Sequence, residues 1–522
     1  MRSKYFSLLI LLICSIDVTT AQQQAHIPWP SLADSPWPVL RGDMQGTGRS
    51  EYIGPRTKNI AWVKDMPLGI IYGPVIGYKD ILYMGERALS PDSVNYFYAV
   101  NKFGDNLWEF QTMTFLPNNS GPIVRKDSTI FFFSRNKNLY SLKPNGELNW
   151  KVENIWANFW PFYPLAKNGD LYVAIVDTLI VVSSAGIVKD RIIIPELSPA
   201  IVFSTGGDTI YFTSGGPPQT GNSGSINAAD LNGNLYWSYN FDEINWGIPM
   251  VDNQNRIYVF GKDSITRENF LYCFNPNGSI SWKYPVLHYL PYAAPTIDRT
   301  GNIILNARKI INAEQRDAII SLDYHGNENW ITLFDGDFDE HYINHGLVCD
   351  AEGKIYCGSS SAGNFYCFDN DGTLLWQLDL GDLEYDSCPA IGSDGTLYIG
   401  THISSSFIYH ANNLIAIKDS GTSLVQDIHL PNKFWLNQNY PNPFNPNTTI
   451  KYSIPEVGVV SLDVYDLLGS KVASLVNEHQ AAGNYSVQFD ASSTAGGLPS
   501  GIYIYRLTSG QFTSSKKLIL LK

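Results

Sequence analysis

NKFGDNLW (Asn101–Trp108), KPNGELNW (Lys143–Trp150), DLNGNLYW (Asp230–Trp237), NPNGSISW (Asn275–Trp282), DYHGNENW (Asp323–Trp330) and DNDGTLLW (Asp369–Trp376) are copies of one pattern: a polar turn, a glycine, and a tryptophan four residues later. SSAGIVKD at Gly186 and KDSGTSLV at Gly421 keep the glycine and lose the tryptophan. The glycines, Gly104, Gly146, Gly186, Gly233, Gly278, Gly326, Gly372 and Gly421, follow one another at 42, 40, 47, 45, 48, 46 and 49 residues. Between them lie short apolar or alternating runs such as CPAIGSDG, TLYIGTH and NLIAIKDSG, separated by Gly, Asp and Asn turns, which read as strands. A period in the forties with four strands per unit is that of a propeller blade. The glycine suits a hairpin turn of positive φ. The flat indole suits the wedge between neighbouring blades. Both are expected to be structural.

Pro74, Pro122, Pro164, Pro199, Pro249, Pro295 and Pro389 each open a unit, with Leu347 in the equivalent place of another. Proline is tolerated there because its missing N–H harms no ladder. The reading is all-β: an eight-bladed β-propeller over residues 61–430, with seven blades as the alternative because two copies are degenerate. NIAWVKD around Trp62 precedes the first full unit as a lone outer strand. It is expected to join the last unit and close the ring, which removes exposed sheet edges.

The 522 residues carry 44% hydrophobic and 16% charged residues, with 13 Trp, 31 Tyr and 25 Phe, a composition that favours strands over helices. The net charge of -13, without a basic cluster, argues against nucleic acid and against an anionic membrane surface. Arg2 and Lys4, the apolar run Phe6–Ile16 and the small residues before Gln22 predict a signal peptide over 1–21. Cys14 raises a lipoprotein alternative, which the bulky Ile13 before it disfavours. A lead-in, residues 22–60, precedes the propeller. No later run is expected to span a bilayer. Cys273, Cys349, Cys357, Cys367 and Cys388 remain in the mature chain. They read as small buried strand residues, with a disulfide between Cys357 and Cys367 as the alternative.

These repeats, with their proline-opened strands and the preceding WPVLRGDMQGTGRS (Trp37–Ser50), resemble the pyrroloquinoline-quinone-type propeller repeat. That resemblance implies the fold but little about function, because the repeat serves enzymes, assembly factors and binding proteins alike. Quinoprotein dehydrogenases of this kind use a vicinal Cys pair and a calcium held by acidic and amide side chains. The sequence has no vicinal Cys pair, so no cofactor is expected and pyrroloquinoline quinone is disfavoured.

Propellers place ligands on the loops joining one blade to the next. Here those connectors carry Tyr72, Trp156, Trp160, Trp246, Tyr289, Tyr292, Tyr342 and Tyr385. Seven of them, all but Tyr289, are the candidate ligand-binding residues. Aromatic faces beside Asn and Asp suit sugar rings or peptide side chains, and rings that merely plug the channel are the alternative. FDGDFDEHYINH (Phe334–His345) sets Asp335, Asp337 and Asp339 at alternating positions, a weak Ca²⁺ candidate. Glu340 occupies the place of the loop glycine, and a solvated acidic connector is the default. No nucleophile elbow or P-loop stands out, so no catalytic residue is assigned.

The repeat stops near Asp427. LNQNYPNPFNPNTTIKYSIP (Leu436–Pro455) reads as an extended, turn-rich stretch, because Pro441, Pro443 and Pro446 exclude helix. Short alternating strands then predict a small immunoglobulin-like antiparallel β-sandwich over 431–522. YPNPFNP, VYDLLG, LPSGIYIYRL and the terminal KKLILLK resemble the type A C-terminal sorting domain of the type IX secretion system. The resemblance implies a Gram-negative host of the Bacteroidota kind and delivery through periplasm and outer membrane to the cell surface or medium. It also implies the secretion machinery as partner, with Gly469, Gly501, Lys516 and Lys517 as the positions read. Together these features predict a monomeric, exported, non-catalytic propeller with an extracellular glycan or protein ligand. The alternative is an extracellular enzyme, either a quinoprotein-like oxidoreductase or a polysaccharide-degrading propeller.

Overall fold

A computed structural model describes residues 23–521 except 67–69, 71–72, 87–94, 113–120, 135–137, 156–163, 176, 195–196, 215–223, 245–247, 288–293, 335–345, 359–362, 381–387, 402–412, 420–433, 440, 455–457, 481–482 and 493–496. The chain is all-β. Up to Lys418 the strands among the described residues form eight antiparallel sheets that follow one another along the sequence. The second is representative: Ile123–Val124, Ile130–Ser134, Asn138–Leu142 and Leu148–Val152 pair in chain order. Its two middle strands are buried along most of their length, while the outer one alternates. The sequence has the same grading, with apolar runs inside and an alternating strand at the rim.

The repeated tryptophan and glycine hold one sheet to the next. Among the described residues, five indoles lie over the turn glycine of the following unit: Trp108 over Gly146, Trp150 over Gly186, Trp237 over Gly278, Trp282 over Gly326 and Trp330 over Gly372. The indole N–H also donates to the carbonyl two residues before that glycine, as from Trp108 to Pro144 at 2.9 Å and from Trp237 to Pro276 at 2.8 Å. A Cβ on Gly146 would stand 2.6 Å from the Trp108 ring, and its φ is 85°, so the position needs glycine for both space and conformation. In the degenerate third unit, Ile192 takes the tryptophan's place over Gly233.

The ring closes through the N-terminal strand. Ile60–Asp65 pairs antiparallel with Asn413–Ile417, which makes it the outer strand of the eighth sheet, with Trp62 opposite Ala416. From that strand Trp62 lies over Gly104 of the first sheet and donates to Lys102 O at 2.9 Å. The last sheet thus grips the first with the contact used between the others, which makes the array a propeller. Closure by a strand from the opposite end of the chain completes the eighth sheet with its outer strand.

The five cysteines among the described residues, Cys273, Cys349, Cys357, Cys367 and Cys388, are buried and free. Cys357 and Cys367 lie on paired strands, but Cys357 is opposite Tyr366 and Cys367 is opposite Tyr356. That one-residue offset puts the two thiols on opposite faces of the sheet, which corrects the disulfide alternative.

After residue 433 the chain forms two more antiparallel sheets. One contains Trp435–Leu436, Asn447–Ile454 and Gly483–Asp490; the other contains Gly458–Tyr465, Lys471–Gln480, Gly501–Ser509 and Phe512–Leu520. Their buried residues, including Ile450, Tyr452, Val464, Tyr505 and Leu518, form one cluster. The proline-rich opening is tied to the final strand: Ile519 N donates to Asn442 Oδ1 at 2.8 Å, and Leu521 N to Phe444 O at 3.0 Å.

Candidate functional site

The lead-in is the hub of the propeller. Ile76 N donates to Trp37 O at 2.7 Å, Val124 N to Pro38 O at 2.8 Å, Phe203 N to Met44 O at 3.2 Å, Val251 N to Gln45 O at 2.9 Å and Cys349 N to Gly48 O at 2.8 Å. Thr296 Oγ1 donates to Thr47 O at 2.7 Å, and Leu165 N is 3.1 Å from Met44 Sδ. Trp37–Gly48 therefore reaches the inner edge of seven successive sheets, and Trp37 packs in one cluster with Ala390 and Ile391 of the eighth. The inner strands would otherwise leave N–H groups unpaired around an axial channel, which is costly once buried. Gly46 and Gly48 permit the fit, since a Cβ on Gly48 would stand 2.7 Å from Leu347 O.

This segment enters and leaves beside the tight turns that join first to second strands: Gln24 N donates to Arg299 O at 2.8 Å, and Gly54 N to Asp350 Oδ2 at 3.0 Å. Its bend, Leu40–Asp43, reaches the opposite end. There Leu40 touches Gly121, and Arg41 lies against Pro295, Gly346 and the Cys388 neighbourhood. Gly121, Gly346 and Cys388 each directly follow a connector between sheets in the sequence.

Arg41 is 1% exposed. Its Nε donates to Gly46 O at 2.8 Å and its Nη2 to Pro295 O, while Nη1 has no acceptor among the described residues. Arg49 Nη2 donates to Ala25 O at 2.9 Å, and its Nη1 has no acceptor among the described residues. The nearby Asp43 is turned to its own loop, accepting from Gln45 N at 3.1 Å and Thr47 N at 3.0 Å as well as from the Thr47 hydroxyl. Burial lowers both guanidinium pKa values, with Asp43 acting in the opposite sense. Burial also pushes the Cys388 thiol up to about 11, with the Arg41 charge pulling it back.

Tyr72, Trp156, Trp160, Trp246, Tyr292, Tyr342 and Tyr385 all lie outside the described residues, as do Asp335, Asp337 and Asp339. Among the described residues, no group of three His, Cys, Asp or Glu side chains could hold a metal. The sorting candidates are described. Gly469, at φ 82°, ends a hairpin whose Asp466 carboxylate accepts from Leu468 N and Ser470 N at 2.9 and 2.8 Å. Leu468 at that tip is 92% exposed. Gly501 opens the strand paired to the last one. Lys516 is half-buried and Lys517 exposed, and Lys517 O accepts from Gln438 Nε2 at 2.6 Å.

Residues 438–521 match the family described as the secretion system C-terminal sorting domain. The chain carries a secretion sorting domain. That domain marks it for secretion or cell-surface attachment by way of the periplasm and outer membrane, with the secretion machinery as partner. No curated protein matches the chain. Among solved structures, BamB from Moraxella catarrhalis is similar at 12% identity and a TM-score of 0.46, over 68% of this chain and 98% of that one. The Dos1 propeller is similar at 10% identity and 0.47, over 76% and 96%. The C-terminal WD40 domain of Sif2 is similar at 12% identity and 0.47, over 70% and 97%. No helix among the described residues is long and apolar enough to cross a membrane.

The hub role of Trp37–Ser50 does not show in the repeat pattern; its signal is three glycines within seven residues, Gly42, Gly46 and Gly48, which allow close backbone approach.

Proposed function

We propose that the chain is a surface-delivered, non-catalytic propeller that binds an extracellular ligand, a glycan in the first instance, at the end of the hub bend, where the inner strands begin. One observation carries this reading: the hub brings a buried, incompletely bonded Arg41 to the starts of the inner strands that follow the aromatic-rich connectors. Aromatic residues in the sequence segments that precede these strands suit a polar ligand with flat apolar faces, such as a sugar. The opposite end is occupied by tight turns and by the two legs of the lead-in. Within the sorting domain, the hairpin tip at Gly469, the strand start at Gly501 and the Lys516–Lys517 pair are the features offered to the machinery.

The mature chain, residues 22–522, probed on a glycan array and by pull-down of extracellular protein, tests the ligand reading. Binding that falls on replacing Trp156 or Trp246 supports it. Silence on the array and in the pull-down contradicts it, and turnover of a polysaccharide would move the assignment to an enzyme.

A further inference from the structure

An antiparallel sheet with one face on a core is expected to be polar on the other. The four-stranded sheet of the sorting domain keeps that rule at one end only. Its core face supplies Val464, Tyr503, Tyr505 and Leu518. On the outer face, which alternates with those residues, Ser461 lies opposite Thr508 and Arg506 opposite Ser515. Further along the same strands, Ile504 lies opposite Tyr465 and Lys517, and Ile502 opposite Ile519. Leu467 and Leu468, the hairpin tip, follow Tyr465 at this same end. Burial and then the Asp466 charge raise the pKa of the Tyr503 hydroxyl, which sets that turn beside the strand bearing Ile502 and Ile504. Leu467, Leu468 and Ile502 are 67%, 92% and 41% exposed, and a Cβ on Gly469 would meet nothing within 4 Å. Arg506 and Lys517 are exposed on the same face, with the Arg506 guanidinium 5.0 Å from the Tyr465 ring centroid. The acids nearby are engaged, Asp463 with Lys471 at 3.5 Å and Asp466 with the N–H groups of its own turn.

We propose that this end of the outer face is the docking patch of the sorting domain, and that it enters an apolar groove of the secretion machinery edged by carboxylates. Exposed apolar side chains rimmed by polar ones mark interaction sites. Here the rim is Arg506 and Lys517, cations in a chain of net charge -13, so a groove with acidic edges is the complementary partner. A lipid surface is the poorer occupant, because an anionic leaflet opposes the charge of the whole chain. The patch rests on the export role of the sorting domain and adds the side chains that meet the partner and the partner's chemistry.

Export of the full chain from a native host tests it. Replacing both tip leucines, Leu467→Ser with Leu468→Ser, should cut the extracellular amount about tenfold or more, with the protein held in the periplasm. Lys517→Glu should also cut it, by a smaller factor. Val459→Ser, on the same face at its far end and 54% exposed, should leave export unchanged. The purified leucine variant should melt at the wild-type temperature, since both side chains are exposed. A photo-reactive phenylalanine analogue in place of Leu468 should cross-link to a component of the secretion machinery, and one in place of Val459 should not. If the leucine variant melts lower, Lys517→Glu and the cross-link decide. Wild-type export of the leucine variant, with a chain ending at residue 430 retained, overturns the patch and leaves the export role standing. Export of the chain ending at residue 430 overturns that role itself. Undiminished export of Lys517→Glu overturns the acidic rim. Wild-type self-association that the leucine substitutions abolish, seen by sedimentation velocity, overturns the partner in favour of a second copy. Flotation with phosphatidylethanolamine–phosphatidylglycerol vesicles that the same substitutions abolish overturns it in favour of lipid.

Discussion

A tryptophan on the rim of one sheet reaches its neighbour in two ways, by covering a glycine and by donating to a carbonyl. Trp282 does both, lying over Gly326 and bonding Tyr324 O at 3.2 Å. Trp282→Phe keeps most of the ring and loses the bond, so a loss of about 1 kcal/mol is expected in urea unfolding. Gly326→Ala should cost more, about 1–2 kcal/mol from φ 85° alone, plus displacement of the indole. A second residue-scale test concerns acid. Asp263 accepts from Thr266 N, Lys283 Nζ, Ile265 N and Tyr272 Oη, which hold its carboxyl well below the usual range. Its stabilisation is therefore present above the ~3.9 of an unfolded aspartate and is lost as pH falls below it. Asp263→Asn should destabilise the protein at pH 7, with the difference narrowing toward pH 3 in thermal melts. The repeat glycines were legible because spacing marks them eight times over, and the tryptophans because they follow six of them. Arg41 was not, because an arginine reads as a surface residue until its surroundings are known.

At the level of elements, the strand positions follow from turn and alternation signals, and the closing strand at Trp62 could be anticipated from its match to an outer strand without an inner partner. Sheet register was harder. A plausible Cys357–Cys367 pairing fails because an offset of one residue reverses the face. With five free, buried thiols, of which Cys273 is pushed up to about 12 by burial, the native protein should show no rapid thiol reaction with Ellman's reagent at pH 8. The denatured mature chain should react fully without reductant. The lead-in is an element of another kind, with no regular structure of its own, yet it bonds to seven sheets. Its pattern is invisible to periodicity because its partners are spread over the whole chain. Deleting residues 23–58 should abolish the single sharp calorimetric transition of the propeller, leaving strand content by far-UV circular dichroism without fixed near-UV signals.

For the whole molecule, sequence divides the chain into cargo and address, and the fold gives each its own core. The ring is closed by Ile60–Asp65, and its channel is filled from the N-terminal side. Propeller assembly thus uses residues that precede the repeat, the lead-in and the closing strand. The sorting domain has a separate cluster, with its proline-rich opening strapped to the last strand. The address was legible because its motifs sit close together in sequence. The ligand was not, since the connector residues that would contact it come from many points along the chain. The separation of cargo and address is tested most directly by fractionating a native host that expresses the full chain or a version ending at residue 430. The account predicts that the full chain reaches the cell surface or medium, while the truncated chain stays in the periplasm as a folded, protease-resistant propeller. Equal amounts of both proteins outside the cell would contradict it.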